Sequence, residues 1–509
     1  MRQLKIDLPK VITCPFISPV NNILLINLAK SLASKVVIGF KWSAFGVFSG
    51  RGLQFIGDII LSRILVPEDF GLMAIALAVL AFSEMLTETG FSSALIQKQK
   101  NVNSLLNTAW TMEVIKGLCL CALLLLLAKP ISGFYNDERL YSLLNTIAIL
   151  FLFRGCRNVG VIYFRKKLEI HKQVLLDIIP FILQLIFIIP AAFYLHNVWA
   201  IVIGIYMRRI SELFLSYIMH PYRPSFKINK LALNELFNFG KWIFGISILG
   251  AIRKNYTPLF IGKTFDMDTL GYFNRAELFS TLLFTVLVQI IWQVGYPAFS
   301  IIQKDITKIK NVYINAIYFI SYFGLAIMAV LYVLSEDLIR LFLSEVWLES
   351  TGMMKMLLPV GVMSLIGSIS PIILQSCGMP HLSTRNSFFS LIILLVLMTL
   401  LTYYFGLTGL LTSMIIASSF SLIYGFMLVN RIIDFQLAKV IPLFVYSLIN
   451  ASFIFLSILL TKNILFHKVG FMELVSLLFI GLITFVVLMI VWDKAIKNSM
   501  YKVIKGYLA

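Results

Sequence analysis

Fourteen stretches of about 20 apolar residues follow one another along the chain, joined by short polar connections. They fall at 39–62, 70–92, 105–127, 140–163, 173–195, 198–219, 238–262, 270–300, 311–334, 353–377, 387–405, 407–429, 440–461 and 470–492. A segment surrounded by hydrocarbon must satisfy its own backbone N–H and C=O groups, so each stretch is expected to be a transmembrane helix. A β-barrel would need alternating strands of about 10 residues, which this pattern does not contain. Composition agrees: 59% of the residues are hydrophobic, 13% are charged, and mean hydropathy is +0.91. An ordinary soluble domain carries roughly twice that charge. A cytosolic enzyme, a secreted domain and a disordered chain are thereby excluded. The expectation is an all-α polytopic membrane protein whose longest connections, 1–38, 220–237 and 335–352, are too short for a globular extramembrane domain.

Orientation follows from the basic residues. The formal net charge is +19. One set of alternate loops, with both termini, holds 24 Lys and Arg; these include Lys98, Arg165, Lys166, Lys172, Arg223, Lys304, Arg385 and Arg431. The opposite set holds 6: Lys129, Arg139, Lys263, Arg340, Lys462 and Lys468. The positive-inside rule then places both termini in the cytoplasm. The start lacks the features of a cleavable signal peptide. Residues 21–35 read either as an interfacial amphipathic helix or as a loose basic tail. The five cysteines (Cys14, Cys119, Cys121, Cys156, Cys377) form no CxxC pair, and the five histidines are scattered. Neither a disulfide framework nor a metal site nor a cofactor is expected.

The chain repeats itself. "GFKWSAFG" at helix 1 is answered by "NFGKWIFG" at helix 7, so that Lys41-Trp42 matches Lys241-Trp242. Arg63 matches Lys263 and Gly71 matches Gly271, all 200 residues apart. Further on, Gln97-Lys98 matches Gln303-Lys304 after a shift of five to six residues. An even number of spans separates the two starts, so the halves share one orientation and form a parallel repeat. The expected architecture is two six-helix lobes, 39–219 and 238–429, around a central cavity, with a linker at 220–237. Two further helices follow at 440–492, and the tails are 1–38 and 493–509. Parallel repeats of this kind suit alternating access, although an old duplication kept for packing would look the same.

Charge is distributed unevenly among the spans. From Ser387 to Asn430 there is no Asp, Glu, Lys or Arg. Helices 1 to 8 carry many, and each charge at the bilayer centre costs at least about 2.5–3.5 kcal/mol to insert. Such side chains must therefore face protein or a watery cavity. Arg51, Arg154, Arg208 and Arg253 lie deep in their spans, at least about 14 Å from either end at 1.5 Å per residue. Arg209, Lys254 and Arg275 accompany them, Arg275 nearer the outer end. Lys41 and Arg157 are close enough to an end to snorkel. A cavity lined by these cations suits an anion, and the guanidinium fork matches phosphate or carboxylate oxygens. Arg208 can pair with Glu212 at i,i+4, and Arg51 shares a face with Asp58. Glu84, Glu88, Glu113 and Asp177 are candidates for binding a coupling H⁺ or Na⁺; charge balance against the arginines is the favoured explanation. "GVFSGRG" puts Gly46, Gly50 and Gly52 beside Arg51, where the helix can pack closely or bend.

Fourteen spans, the parallel repeat and the run "SRILVPEDFGLMAIALAVLAFSEMLTETGFSSALIQK" resemble the Wzx-type polysaccharide flippases of the multidrug/oligosaccharidyl-lipid/polysaccharide superfamily, in particular the colanic-acid-exporter-like branch. The resemblance covers most of the chain from Lys41 and is strongest from Leu65 to Lys98. It implies a transporter, not an enzyme, in a bacterial inner membrane. Such a protein flips undecaprenyl-diphosphate-linked oligosaccharide repeat units to the outer leaflet for O-antigen, capsule or exopolysaccharide assembly, through a cationic central cavity, with a polysaccharide polymerase as a potential partner. No role follows for residues 1–35. Two other readings are weighed against it. A cation-coupled multidrug antiporter of the same superfamily needs an acidic pocket, whereas the deep charges here are mainly basic. A membrane polysaccharide polymerase or glycosyltransferase needs catalytic acids on a substantial outer loop, whereas only Glu68-Asp69, Asp137-Glu138 and Asp266/Asp268 are available, on short ones.

Overall fold

The computed structural model describes residues 19–86, 102–166, 169–229, 250, 252–433, 437–466 and 469–495, and among these there are helices and no strand. In chain order the helices are α1 (Pro19–Ile64), α2 (Pro67–Leu86), α3 (Val102–Tyr135), α4 (Glu138–Ala148), α5 (Leu150–Gly155), α6 (Ile162–Lys166), α7 (Ile170–Leu195) and α8 (Trp199–Met219). There follow α9 (252–264), α10 (Met267–Ile302), α11 (Ile306–Val333), α12 (Ser335–Phe342), α13 (Ser350–Gly367), α14 (Ile369–Ser376), α15 (Pro380–Ile433), α16 (Leu437–Leu465) and α17 (Phe471–Ala495). By length and composition nine described helices can cross a membrane, or ten if one bent pair counts as a span. The protein is thus an all-α, multi-pass membrane protein.

Two local features refine the expected spans. α15 is 54 residues long, but Gly406 adopts φ 59°, ψ −136° and ends the helical run. The chain doubles back there: Asn386 Nδ2 donates to Ser421 O (3.1 Å) and Ser390 Oγ to Ala417 O (3.2 Å), an antiparallel register. Positive φ is cheap only for glycine, which is why the turn falls on Gly406. The span expected at 140–163 is not one straight helix, because it bends by 63° between Gly155 and Val159. Asn158 sets the bend. Its Oδ1 accepts from Gly160 N (2.8 Å) while its Nδ2 donates to Tyr222 O (2.8 Å), so its side chain serves a non-helical backbone and ties it to the segment after α8.

The two halves of the chain meet through their repeated elements. α2 packs along α10, the matching helix 200 residues later. At the contact, a methyl group on Gly71 would strike the carbonyl oxygen of Met267, and one on Gly271 would strike that of Pro67. Pro67 and Met267 are themselves 200 residues apart, so the contact is reciprocal about a pseudo-twofold axis. The basic residue ending each first helix repeats the exchange. Arg63 Nε donates to Phe342 O (3.0 Å), and its Nη2 also bonds Leu341 O. Lys263 Nζ donates to Phe134 O (2.5 Å). Each cation thus holds C-terminal carbonyls of a helix in the opposite half, where a helix end carries partial negative charge. Phe134–Leu140 ("FYNDERL") and Phe342–Leu348 ("FLSEVWL") prove to correspond at an offset of 208, which carries the repeat past the point where the sequence comparison lost it.

Further contacts close the same end. Trp347 is fully buried, and its Nε1 donates to Ser62 O (2.6 Å). Phe70 and Tyr272 flank its ring. Tyr135 OH donates to Leu259 O (3.2 Å). One apolar core runs through Phe70, Ile75, Leu143, Leu270, Phe273 and Trp347, and so spans both halves. A second core joins α11, α14 and α15 to α16 and α17. The outer faces of α16 and α17, including Phe453, Phe479 and Leu482, are exposed apolar surface suited to lipid.

Candidate functional site: a cationic cavity

Facing the closed end, α1, α2, α7, α8 and α10 surround a cavity of about 380 Å³. Gln54, Asp58, Phe70, Phe181, Gln184, Arg208, Arg209, Asn274 and Arg275 are in its wall. A second cavity, about 250 Å³, shares Gln54, Phe181 and Arg208 with the first and adds Arg51, Asp177 and Gln289. A third, about 190 Å³, shares Arg209 and is bounded by Phe153, Arg154, Arg157, Glu212 and Leu213. Shared side chains make the three neighbours along the inner faces of α1, α5, α7 and α8.

The ion pairs within this region decide where positive charge remains. Glu212 takes Arg208 Nε on one carboxylate oxygen (3.1 Å) and Arg209 Nη1 on the other (3.0 Å), so two cations share one acid. Arg208 also lies over the Phe181 ring, 5.3 Å from its centroid. The i,i+4 expectation for Arg208 and Glu212 holds. The face shared by Arg51 and Asp58 does not make a pair, because Asp58 binds Arg275 from α10 instead (2.9 Å). Arg275 is 5% exposed; its other Nη donates to Asn274 Oδ1 (3.2 Å), and Phe70 covers it at 4.1 Å. This ion pair bridges the halves below the closed end, so Arg275 is a structural cross-link as well as part of the wall. Arg51 and Arg157 make no ion pair among the described residues, and Arg157 Nε is buried without a hydrogen-bond partner.

Arg157 was expected to snorkel, yet it sits in the third cavity. It falls within the bend between Gly155 and Val159. Arg154 pairs with Glu84, and Glu113 with Lys116. Asp177 accepts from Gln173 Nε2 at both oxygens (3.1 Å each) and lines the second cavity. Arg253 and Lys254 lie at exposed positions on α9, outside the three cavities described above. Lys41 and Glu88 fall outside the residues whose side chains are described. No group of His, Cys, Asp and Glu suited to a metal occurs among the described residues. Beyond the spans, the Arg139 guanidinium holds the Asp137 carboxyl below its usual range and also reaches Glu68 (2.6 Å).

Comparison with known proteins places this architecture. Residues 60–352 match the family model described as "Polysaccharide biosynthesis protein", and the chain belongs to that family. An uncharacterized membrane protein in the cps region of Klebsiella pneumoniae is 25% identical over 428 residues, covering 82% of this chain and 88% of that protein. The lipopolysaccharide biosynthesis protein WzxC of Escherichia coli K12 is 23% identical over 66% of this chain and 69% of its own. The teichuronic acid biosynthesis protein TuaB of Bacillus subtilis is 21% identical, over 69% and 74%. Among solved structures, the lipid II flippase MurJ in an inward closed conformation superposes with a TM-score of 0.72 at 13% identity, over 90% of this chain and all of that one. An inward-facing MATE-family multidrug transporter superposes at 0.64 and 15% identity, over 75% and 94%. The fold is therefore the one these two transporters share.

Proposed function

We propose that the protein is a transporter that flips polyprenyl-diphosphate-linked oligosaccharide units across the bacterial cytoplasmic membrane for polysaccharide assembly. Two lobes, 39–219 and 238–429, rock about the seam between α2 and α10, while 440–492 docks against the second lobe and 220–237 links the two. Both termini lie in the cytoplasm, as the 24-to-6 division of basic residues suggests. The loops carrying Arg139, Lys263, Arg340 and Lys462 gather at the closed end, in keeping with an outward-closed state.

One observation carries this reading above the others: the adjoining cavities that hold Arg51, Arg154, Arg157, Arg208 and Arg209 between the helices of an alternating-access fold. A diphosphate cannot cross about 30 Å of hydrocarbon unaided, but arginine forks can replace its water. The lipid tail stays in the bilayer meanwhile. The kinship to proteins of lipopolysaccharide and teichuronic acid biosynthesis supports a glycan cargo, and the shared fold of a lipid II flippase supports a lipid-linked one. We read Glu84, Glu113 and Glu212 as counter-charges, since each is held by a cation; that weighs against a cation-binding drug antiporter. Deleting the gene in its host tests the proposal: the lipid-linked unit should accumulate on the cytoplasmic leaflet and surface polysaccharide should be lost. Normal polysaccharide in the deletion strain would refute it.

A further inference from the structure

The three neighbouring cavities differ in chemistry, and the difference orients a substrate. In the 380 Å³ cavity every arginine is already engaged: Arg208 and Arg209 by Glu212, Arg275 by Asp58. What its wall offers instead is amides. Gln54 and Gln184 make no side-chain hydrogen bond among the described residues, and Gln184 Oε1 is buried without a partner beside Leu185, Ile188 and Ile201. Asn274 spends its Oδ1 on Arg275 and keeps its amide hydrogens. An unpaired amide in such a wall is costly unless water or a ligand meets it. The arginines that make no ion pair among the described residues lie elsewhere, Arg51 in the second cavity and Arg157 in the third, away from the closed end.

We propose that the 380 Å³ cavity is a glycan subsite, in which Gln54, Gln184 and Asn274 hydrogen-bond the hydroxyl groups of neutral sugars while the diphosphate remains with Arg51 and Arg157. The volume falls in the range of about 300–1,000 Å³ typical of small-ligand sites. The order is also sterically natural: sugars enter deepest, the diphosphate follows, and the lipid tail stays outside. Specificity for the sugar then resides in the amides, because a site built to bind hydroxyls discriminates strongly against ligands that lack them.

This inference rests on the flippase reading, and one experiment separates the two. The full-length protein in lipid nanodiscs is titrated with undecaprenyl diphosphate and with undecaprenyl diphosphate bearing a neutral hexose disaccharide, and binding is read by native mass spectrometry. Wild type should bind the disaccharide lipid about tenfold or more tightly than the bare one. Gln184→Leu and Asn274→Ala should each weaken the disaccharide lipid far more than the bare one, so that most of the preference is lost. Arg157→Ala should weaken both lipids alike. Equal binding of the two lipids by wild type would overturn the glycan subsite, as would an undiminished preference in both amide variants. Binding of neither lipid by wild type would overturn the flippase reading itself.

Discussion

Replacing Gly71 by alanine tests the seam that closes one end of the cavity. The added methyl would occupy the position of the Met267 carbonyl oxygen, which is backbone and cannot swing aside. The α2–α10 contact must spread, and overpacking of this kind costs about 1–3 kcal/mol. That cost falls on the closed state, where the helices touch, and is relieved when they part. With 1.4 kcal/mol to a factor of ten, the open-to-closed ratio should rise about 5- to 150-fold. Gly271→Ala meets the Pro67 carbonyl in the same way and should give a shift of similar size. Gly133→Ala, with no atom within 4 Å of the new methyl, should give none. The assay is labelling of Ala74→Cys, which lines the main cavity, in a background whose native cysteines are replaced by serine, with an impermeant maleimide added on the closed side. Faster labelling for both seam glycines and not for Gly133 is expected. Unchanged labelling in well-folded Gly71→Ala and Gly271→Ala proteins would refute the seam as the moving contact.

Other expectations follow from the same contacts. Arg275→Leu leaves Asp58 unpaired in a largely buried site and should destabilise the protein by about 3–5 kcal/mol, whereas the double variant with Asp58→Leu should recover most of the loss in thermal unfolding. Arg63→Ala and Lys263→Ala, whose side chains are exposed, should each raise Ala74→Cys labelling more modestly than the glycine variants do, and by comparable amounts. Asp137 has its folded pKa depressed by Arg139, so its contribution is present above the unfolded value and is lost as pH falls through the folded one. Asp137→Asn should therefore flatten the acid limb of a stability-versus-pH curve slightly, by less than about 1 kcal/mol given the exposure of Arg139.

Much of the molecule is legible from one-dimensional signals. The helices follow from apolar length, the α15 reversal falls on the single glycine between two expected spans, and the Arg208–Glu212 pair follows from helical spacing. What escapes is what depends on the other half of the chain. Asp58 has a plausible partner seven residues away but takes Arg275, 217 residues on, because the halves abut there. Gly71 and Gly271 are visible as a matched pair, yet their purpose, each making room for a carbonyl of the opposite half, needs both backbones in place. The repeat itself is lost in sequence after Lys98, since its offset drifts from 200 to 208. Structure recovers it through the matching carbonyls of Phe134 and Phe342. The depth assigned to Arg157 presumes a straight helix, and Asn158 bends this one. The signal was available: an asparagine after "GCR" is a poor helix-interior residue and a good cap.

The proposed transport rests on arginines lining the cavity that carry a lipid-linked diphosphate across the membrane. Its most direct test is flipping in proteoliposomes, following the leaflet accessibility of a labelled polyprenyl-diphosphate oligosaccharide, with wild type beside Arg51→Ala, Arg154→Ala, Arg157→Ala and Arg253→Ala. Wild type should flip the lipid, each of the three cavity arginine variants should lose at least about tenfold, and Arg253→Ala, which lies outside the three cavities, should flip near-normally. Flipping that persists unchanged when the cavity arginines are removed from a folded protein would contradict it.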